Sequence, residues 1–335
     1  MRAFNGSSLF RMNQDLHQAA IVFDGLVVAK WGRSTFEKMR EGGLTAANCT
    51  ICIWEGVKET LISVARFKRW FEELSDLIVP CRTVDDIRKA KTTGRVGIIL
   101  GWQNSSGIED RLDLLQVYKE LGVGFIQLTY NTQNYVGAGC WEKHDGGLSD
   151  FGSRVVHEMN RAGIVIDLSH VGAKSASDAL IASAKPCAYT HVCPAGLLAH
   201  PRNKTDEQLR AVVAREGFVG VAAYAPFMRR GADSTLEDVI DIFEYVINVC
   251  GEAQVGIGTD FTEGQDEVFF DYARQDKGYG RRMVPSTGTA PTIKDFNSLA
   301  SYPLLTRAMQ RRGWSERRIV AVLGENWLQF LDRVW

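Results

Sequence analysis

Residues 95–102 read RVGIILGW, and the five residues from Val96 to Leu100 are all apolar or glycine. An unbroken apolar run of this length is typical of a parallel strand that is covered on both faces. Further short apolar runs recur along the chain, at residues 19–24, 48–54, 124–130, 164–169, 187–191, 218–223 and 254–260. Amphipathic stretches with helical spacing separate them. We therefore predict eight strands that alternate with helices.

Helix start and stop signals support this alternation. Ser234-Thr235-Leu236-Glu237 has the pattern of a capping box, and an apolar stripe at helical spacing follows it, made by Val239, Ile242, Phe243, Val246 and Ile247. Gly251 then stands where a C-terminal glycine cap is expected. Thr205 to Gln208 repeat the box pattern ahead of the run at 218–223. The pattern favours an α/β fold, a (β/α)8 barrel of the TIM type, over a doubly wound open sheet.

No linker or repeat interrupts the pattern, so we interpret residues 1–335 as a single barrel domain. A polar segment at about 264–292 is predicted to be a long loop over one face of the barrel. Such a loop is either a lid or a surface excursion, and the latter is the simpler interpretation. Residues 293–334 are predicted to form closing helices, with Ser315 as the N-cap of the last one.

Charge and composition exclude several classes of partner. The chain has 39 Lys and Arg against 40 Asp and Glu, a net charge of −1, so no basic field attracts nucleic acid or a membrane surface. No apolar stretch is long enough to span a membrane, and Met1 to Asp15 lack the apolar region of a secretory signal. The seven cysteines form no CxxC pair. We expect a cytoplasmic protein with a small-molecule substrate.

Polar residues stand at the ends of the predicted strands. In a βα barrel the reactive side chains lie at the C-terminal ends of the strands, where the loops form the site. The residues at these ends are Asp24, Gln103, Tyr130, His170, His191 and Asp260. Two histidines and an aspartate that converge on one mouth predict a metal site or an acid/base site.

Five motifs in order resemble the renal (membrane) dipeptidase family, peptidase family M19. They are Asp167-Leu168-Ser169-His170, Thr190-His191, Pro201-Arg202-Asn203, Gly256-Ile257-Gly258-Thr259-Asp260-Phe261 and Gly324-Glu325-Asn326-Trp327. The resemblance covers about residues 18 to 335. It implies a TIM-type barrel, metal-dependent hydrolysis of dipeptides, and a homodimer.

The resemblance also implies roles for individual residues. His170 and His191 correspond to metal ligands, Arg202 to the arginine that contacts the substrate carboxylate, and Asp260 to the catalytic aspartate. Tyr130 stands where the family has a histidine that helps to hold the tetrahedral intermediate, so we expect it to bind substrate. From the residues alone, each histidine could instead be a structural hydrogen-bonding residue, Asp260 a loop cap, and Arg202 a salt-bridging residue.

The first-metal motif of the family, D-G-H-x-D, is absent. The sequence reads Asp24-Gly25-Leu26-Val27-Val28, so that Leu26 and Val28 occupy the ligand positions, and Gln103 replaces the bridging glutamate. Leucine and valine cannot donate to a metal, and a glutamine oxygen is a weak, neutral ligand. We therefore expect at most one divalent ion, on His170 and His191 with Gln103 as a further candidate. Zinc suits imidazole ligands best.

Three functions remain open at this point. The first is a dipeptidase-like metal-dependent hydrolase that cleaves a dipeptide or an N-acyl amino-acid-type amide. The second is a metal-free or repurposed barrel enzyme that acts on a small N-methylated amino acid or betaine. It is suggested because the residues that stand in place of the first-metal motif resemble those of an atypical bacterial subgroup. The third is a non-catalytic descendant that binds a metabolite.

Overall fold

The computed structural model describes residues 16–335, so the interpretation of Met1 to Asp15 lies outside the described residues. Every strand pair is parallel. The strands are β1 (Phe23–Val27), β2 (Ala46–Cys52), β3 (Ile78–Pro80), β4 (Val96–Trp102), β5 (Val123–Gln127), β6 (Val165–Asp167), β7 (Ala188–Val192), β8 (Phe218–Val221) and β9 (Val255–Ile257). Because β2 pairs with both β1 and β4, eight of them close into a ring. The predicted (β/α)8 barrel is confirmed.

Strand β3 was not predicted. It lies beside the start of β4, with Ile78 level with Val96, whereas β5 begins further along the same edge, with Val123 level with Leu100. Each predicted strand overlaps an observed one, but most are shorter than predicted, and the first is shifted, because β1 spans Phe23–Val27 rather than residues 19–24. The run at 254–260 ends as a strand at Ile257 because the chain then turns, and Asp260 has a φ of 60°.

Helices alternate with the strands as predicted. They are α1 (Arg33–Glu41), α2 (Val57–Glu73), α3 (Val84–Thr93), α4 (Leu114–Leu121), α5 (Asp150–Ala162), α6 (Ala173–Ala182), α7 (Asp206–Val213), α8 (Leu236–Cys250), α9 (Glu267–Arg274), α10 (Tyr302–Arg311), α11 (Glu316–Val320) and α12 (Asn326–Val334). The box at Thr205 is confirmed, but the box of α8 is one residue later than predicted, because Thr235 pairs with Asp238. Within residues 16–335, no helix is both long and apolar enough to cross a bilayer.

Helix α12 closes the barrel at the N-terminal ends of the strands. Trp327 enters the barrel there, packs 4.1 Å from the ring of Phe218, and donates a 2.8 Å hydrogen bond to the carbonyl of Ile257. A Cβ on Gly25 would lie 2.4 Å from Trp327, so this approach requires glycine. The strands therefore open at their C-terminal ends, where the predicted site residues stand.

Candidate active site

One pocket lies at the C-terminal ends of the strands, and it brings most of the predicted site residues together. Its walls include Val28, Gln103, Tyr130, His170, Arg202 and Asp260. His191 and Leu26 do not line it, because both are buried beneath it. The structure thus places the predicted residues in two layers, with one histidine exposed to the pocket and the other behind it.

Hydrogen bonds at Nδ1 hold both histidines of the site in place. The Nε2 atoms of His170 and His191 are 3.0 Å apart, and His191 Nδ1 lies 2.7 Å from Thr190 Oγ1. Thr190 and Ser169 together surround the buried carboxyl of Asp167, to which their backbone and hydroxyl groups donate hydrogen bonds of 2.6–3.1 Å. At its other end, His170 Nδ1 lies 2.7 Å from Asn131 Oδ1.

These partners fix the imidazole tautomers. The single proton of the Thr190 hydroxyl is donated to Asp167, so Thr190 Oγ1 accepts a hydrogen bond from His191 Nδ1. Asn131 Oδ1 likewise accepts from His170 Nδ1. Both Nε2 atoms then present lone pairs to each other. Burial, together with the charge of Arg202, lowers the pKa of both histidines well below the usual value, so both are neutral.

An apolar cluster occupies the opposite side of the mouth. Leu26 and Val28 are buried there against Ile53 and Tyr130, and Trp54, Phe269 and Tyr272 pack around them. The carboxyl of the neighbouring Asp24 receives hydrogen bonds from the amides of Leu26 and Thr259 and from the hydroxyls of Thr259 and Tyr302. Asp24 therefore has a structural role.

The described side chains do not fit a two-metal centre. Among residues 16–335, no group of three or more His, Cys, Asp or Glu side chains is placed to hold a metal ion. Two side chains, His170 and His191, have one feature of a ligand pair for a single ion, because a histidine that binds a metal through Nε2 commonly donates its Nδ1 proton to a second partner, as both histidines do here. Gln103 adds a neutral donor. Its Nε2 bonds Thr50, and its Oε1 has no hydrogen-bond partner among the described residues.

Arg202 is a buried cation without a counter-ion. Its Nη2 donates a 2.6 Å hydrogen bond to the carbonyl of His191, while its Nε and Nη1 have no partner in the described part of the chain. The guanidinium also lies 5.3 Å from the ring of Phe227. A buried guanidinium with two unpaired donors is costly in isolation and is stabilised by an anion, above all by a carboxylate that both donors can reach.

Asp260 lines the same pocket and is 8% exposed. Its backbone amide bonds the carbonyl of Leu26, but its carboxyl has no hydrogen-bond partner among residues 16–335. Burial raises the pKa of this carboxyl to about 7, against the opposing charge of Arg202. A carboxyl that titrates near neutral pH and faces a pocket is suited to accept and return a proton.

The sequence interpretation missed several pocket residues. Asn131 follows the predicted Tyr130 directly, and its position after a strand was a usable signal. His200 was given no role, yet it lines the pocket, and its Nδ1 accepts a 3.2 Å hydrogen bond from the backbone amide of Arg202. The segment at about 264–292 is not a surface excursion, because it contains helix α9 and lines the pocket with Phe269, Phe270, Ala273, Arg274, Val284 and Ser286.

Comparisons with known proteins identify a family and a fold. The family model described as membrane dipeptidase (peptidase family M19) matches residues 16–273. A dipeptidase of Aspergillus oryzae, aclJ, is 27% identical over 99% of this chain and 75% of its own length. The chain spans between 55% and 75% of the length of the curated relatives that it matches.

Two solved structures resemble the chain closely in shape. An amidohydrolase from Pseudomonas aeruginosa is 47% identical, with a TM-score of 0.94, over 96% of this chain and 99% of that one. Dipeptidase AC, a metallopeptidase of family M19, superposes with a TM-score of 0.79 over 94% of this chain and 99% of that one. At 23% identity, this second likeness concerns the fold alone.

Proposed function

The chain belongs to the membrane dipeptidase family, peptidase family M19, and from this premise we propose that it hydrolyses the amide bond of a dipeptide or an N-acyl amino acid with at most one divalent ion. One observation carries the proposal. A buried, unpaired Arg202 and a carboxyl of raised pKa, Asp260, line the same pocket. The first suits the carboxylate of such a substrate, and the second suits the proton transfers of its hydrolysis.

The pocket residues have distinct roles in this reaction. Arg202 binds the substrate carboxylate through Nε and Nη1. Asp260 accepts a proton from the attacking water and returns it to the nitrogen that leaves when the C–N bond breaks. The Tyr130 hydroxyl has no partner among the described residues, and burial raises its pKa, so it keeps its proton and donates a hydrogen bond to the carbonyl oxygen.

His170 and His191 would hold the ion, with Gln103 as a further donor and zinc as the expected metal. When bound, the ion would polarise the scissile carbonyl and lower the pKa of a water molecule. Asn131 and Thr190 orient the two imidazoles through their Nδ1 atoms. We further expect the enzyme to act as a homodimer in the cytoplasm.

The test combines metal analysis with hydrolysis. Purified protein is analysed for bound metal and assayed on a dipeptide panel before chelation, after it, and after zinc is restored. We expect no more than one ion per chain, and loss of both ion and activity in His170→Ala. The exposed His157 on helix α5 supplies a matched control, His157→Ala, which keeps both. Absence of hydrolysis of every dipeptide, and of every N-acyl amino acid assayed in the same way, would refute the proposed activity.

An alternative substrate follows from the aromatic lining of the pocket. Trp141, Tyr224 and Phe227 line the same pocket as Arg202, and the ring of Phe227 lies 5.3 Å from its guanidinium. A betaine or N-methylated amino acid would place its carboxylate on Arg202 and its methylated nitrogen against aromatic faces, which attract such cations. Chelator-resistant turnover of a methylated amino acid, in protein without stoichiometric metal, would favour this alternative over the dipeptidase activity.

A further inference from the structure

Helix α9 brings a second buried guanidinium to the pocket wall. Arg274, the last residue of the helix, is 8% exposed and lies 5.1 Å from the ring of Phe270. One of its nitrogen atoms, Nη1, donates to the carbonyl of Gly288. Among residues 16–335, its Nε and Nη2 have no hydrogen-bond partner, and no carboxylate pairs with it. It is therefore a largely buried cation without a counter-ion.

The charges of the pocket do not balance. Of the residues that line it, Arg202 and Arg274 are cationic, and Asp260 is the single acid. A pocket lined by two guanidinium groups and a single carboxyl is short of negative charge, which a ligand can supply.

The two arginines serve different parts of the pocket. Arg202 lies near Asp260 and lowers the pKa of that carboxyl. Arg274 acts on Tyr224 instead. Burial and Asp260 raise the pKa of the Tyr224 hydroxyl, while Arg274 lowers it. Tyr224, which lines the same pocket, is therefore near both Asp260 and Arg274.

We propose that Arg274 determines specificity by binding a second anionic group, so that the preferred substrates are acidic dipeptides or N-acyl amino acids with two carboxylates. This inference rests on the proposed amide hydrolysis for the identity of the substrate. The recognition of a dianion rests on the two guanidinium groups alone. The first carboxylate binds Arg202, the scissile amide lies at Asp260, and the second carboxylate binds Arg274, which lines the same pocket.

The nearby Arg282 differs from Arg274 because it is paired with a carboxylate. It lies after helix α9, its Nη2 pairs with Asp271 at 2.9 Å, and its Nη1 donates a 3.2 Å hydrogen bond to the carbonyl of Ser286. Arg282 does not line the pocket. It therefore provides a control for loss of a positive charge from the same segment.

The binding test compares glutarate with glutaramate, in which an amide of the same shape replaces one carboxylate. Isothermal titration of the wild-type protein should give glutarate an affinity about 10- to 100-fold higher, the usual range for a charge-assisted hydrogen bond. Arg274→Gln should abolish this preference, Arg274→Lys should retain part of it, and Arg282→Gln should leave it intact. Equal affinities for the wild type, or an undiminished preference in Arg274→Gln, would overturn the proposal.

A kinetic test then addresses the substrate. Values of kcat/KM are compared within two pairs, Glu-Ala with Gln-Ala and Ala-Glu with Ala-Gln. We expect the acidic member of one pair to be preferred about tenfold or more, and that preference to vanish in Arg274→Gln. Hydrolysis of all four without preference would refute the acidic specificity and leave the amidase activity standing. Hydrolysis of none, with glutarate still preferred in the titration, would refute the proposed activity and retain the dianion site.

Discussion

The two sides of the barrel mouth solve the same problem of burial in opposite ways. At the C-terminal ends of β1, β2 and β5, the side chains of Leu26, Val28, Ile53 and Tyr130 form an apolar cluster. At the C-terminal ends of β6 and β7, hydrogen bonds link the carboxyl of Asp167 through Thr190 to His191 Nδ1, and the unprotonated Nε2 atoms of His191 and His170 lie 3.0 Å apart. The apolar side offers no atom to a metal, whereas the polar side keeps two imidazole nitrogens that a cation can bind. The apolar side is therefore a packed structure in its own right, and the chemistry of the site is confined to the polar side and the pocket above it.

The largest expected effect comes from Asp260, which faces the pocket between these two sides. We expect Asp260→Asn to reduce kcat by about 10²- to 10⁴-fold, the usual contribution of a positioned acid or base. Because the carboxylate is the form that accepts a proton, wild-type kcat/KM should rise as pH passes upward through about 7. Steady-state rates on a hydrolysed dipeptide measure both. Asp271→Asn removes an exposed carboxylate near the same pocket and should leave the rates unchanged.

The same substitution has an opposite effect on stability. The pKa of Asp260 rises from 3.8 to about 7 on folding because of burial, so ionisation disfavours the folded state. Wild-type stability should therefore fall between about pH 4 and pH 7, by up to about 4 kcal/mol from this group. Asparagine cannot ionise, so the variant should be more stable than the wild type at pH 8 and equal to it near pH 4 in urea unfolding. A less stable variant at pH 8 would contradict this account.

The apolar cluster can be tested by introducing the two ligand side chains of the family motif at positions 26 and 28. The double variant Leu26→His, Val28→Asp places an imidazole and a carboxylate among buried apolar side chains, and we expect it to lose about 3 kcal/mol of unfolding free energy. The control Leu26→Met, Val28→Ile keeps the cluster apolar and should lose less than about 1.5 kcal/mol. Urea unfolding measures both. Equal stability of the double variant and the wild type would show that water reaches these two positions, and would contradict the packing described for the cluster.

Removing the charge of Arg202 tests the substrate side of the pocket. We expect Arg202→Met to raise KM about 10- to 100-fold, because a hydrogen bond to a charged group contributes about 1.5–3 kcal/mol. The unfolding free energy should hardly fall, because the substitution also removes the desolvation cost of a buried cation that has no counter-ion. Arg202→Lys keeps the charge without the two-pronged geometry and should lie between. An unchanged KM in Arg202→Met would exclude carboxylate binding at this residue.

The difference between the two sides also explains what the sequence could predict. Local patterns sufficed for the barrel, since a run such as residues 95–102 indicates a strand without knowledge of any contact. Of the residues at the ends of the runs, Gln103, Tyr130, His170 and Asp260 line the pocket. Strand β3 was missed because it has only three residues, Ile78-Val79-Pro80, and ends in proline. The packing of Leu26 against Ile53 and Tyr130, and the place of Arg274 in the pocket, depend on contacts between distant segments. No local pattern contains that information.

Tyr130 contacts both sides of the mouth, and removal of its hydroxyl has the smallest expected effect on activity. Its ring packs in the apolar cluster and stacks on His170, with the two ring centres 4.4 Å apart. Tyr130→Phe keeps that packing and removes only the hydroxyl, so the unfolding free energy should change by less than about 1 kcal/mol. If the hydroxyl donates a hydrogen bond to the substrate carbonyl, kcat should fall by up to about tenfold, the range of one neutral hydrogen bond. Tyr130→Leu, which also loses the stacked ring, should reduce both quantities. A kcat of wild-type size in Tyr130→Phe would assign this tyrosine to the apolar side alone.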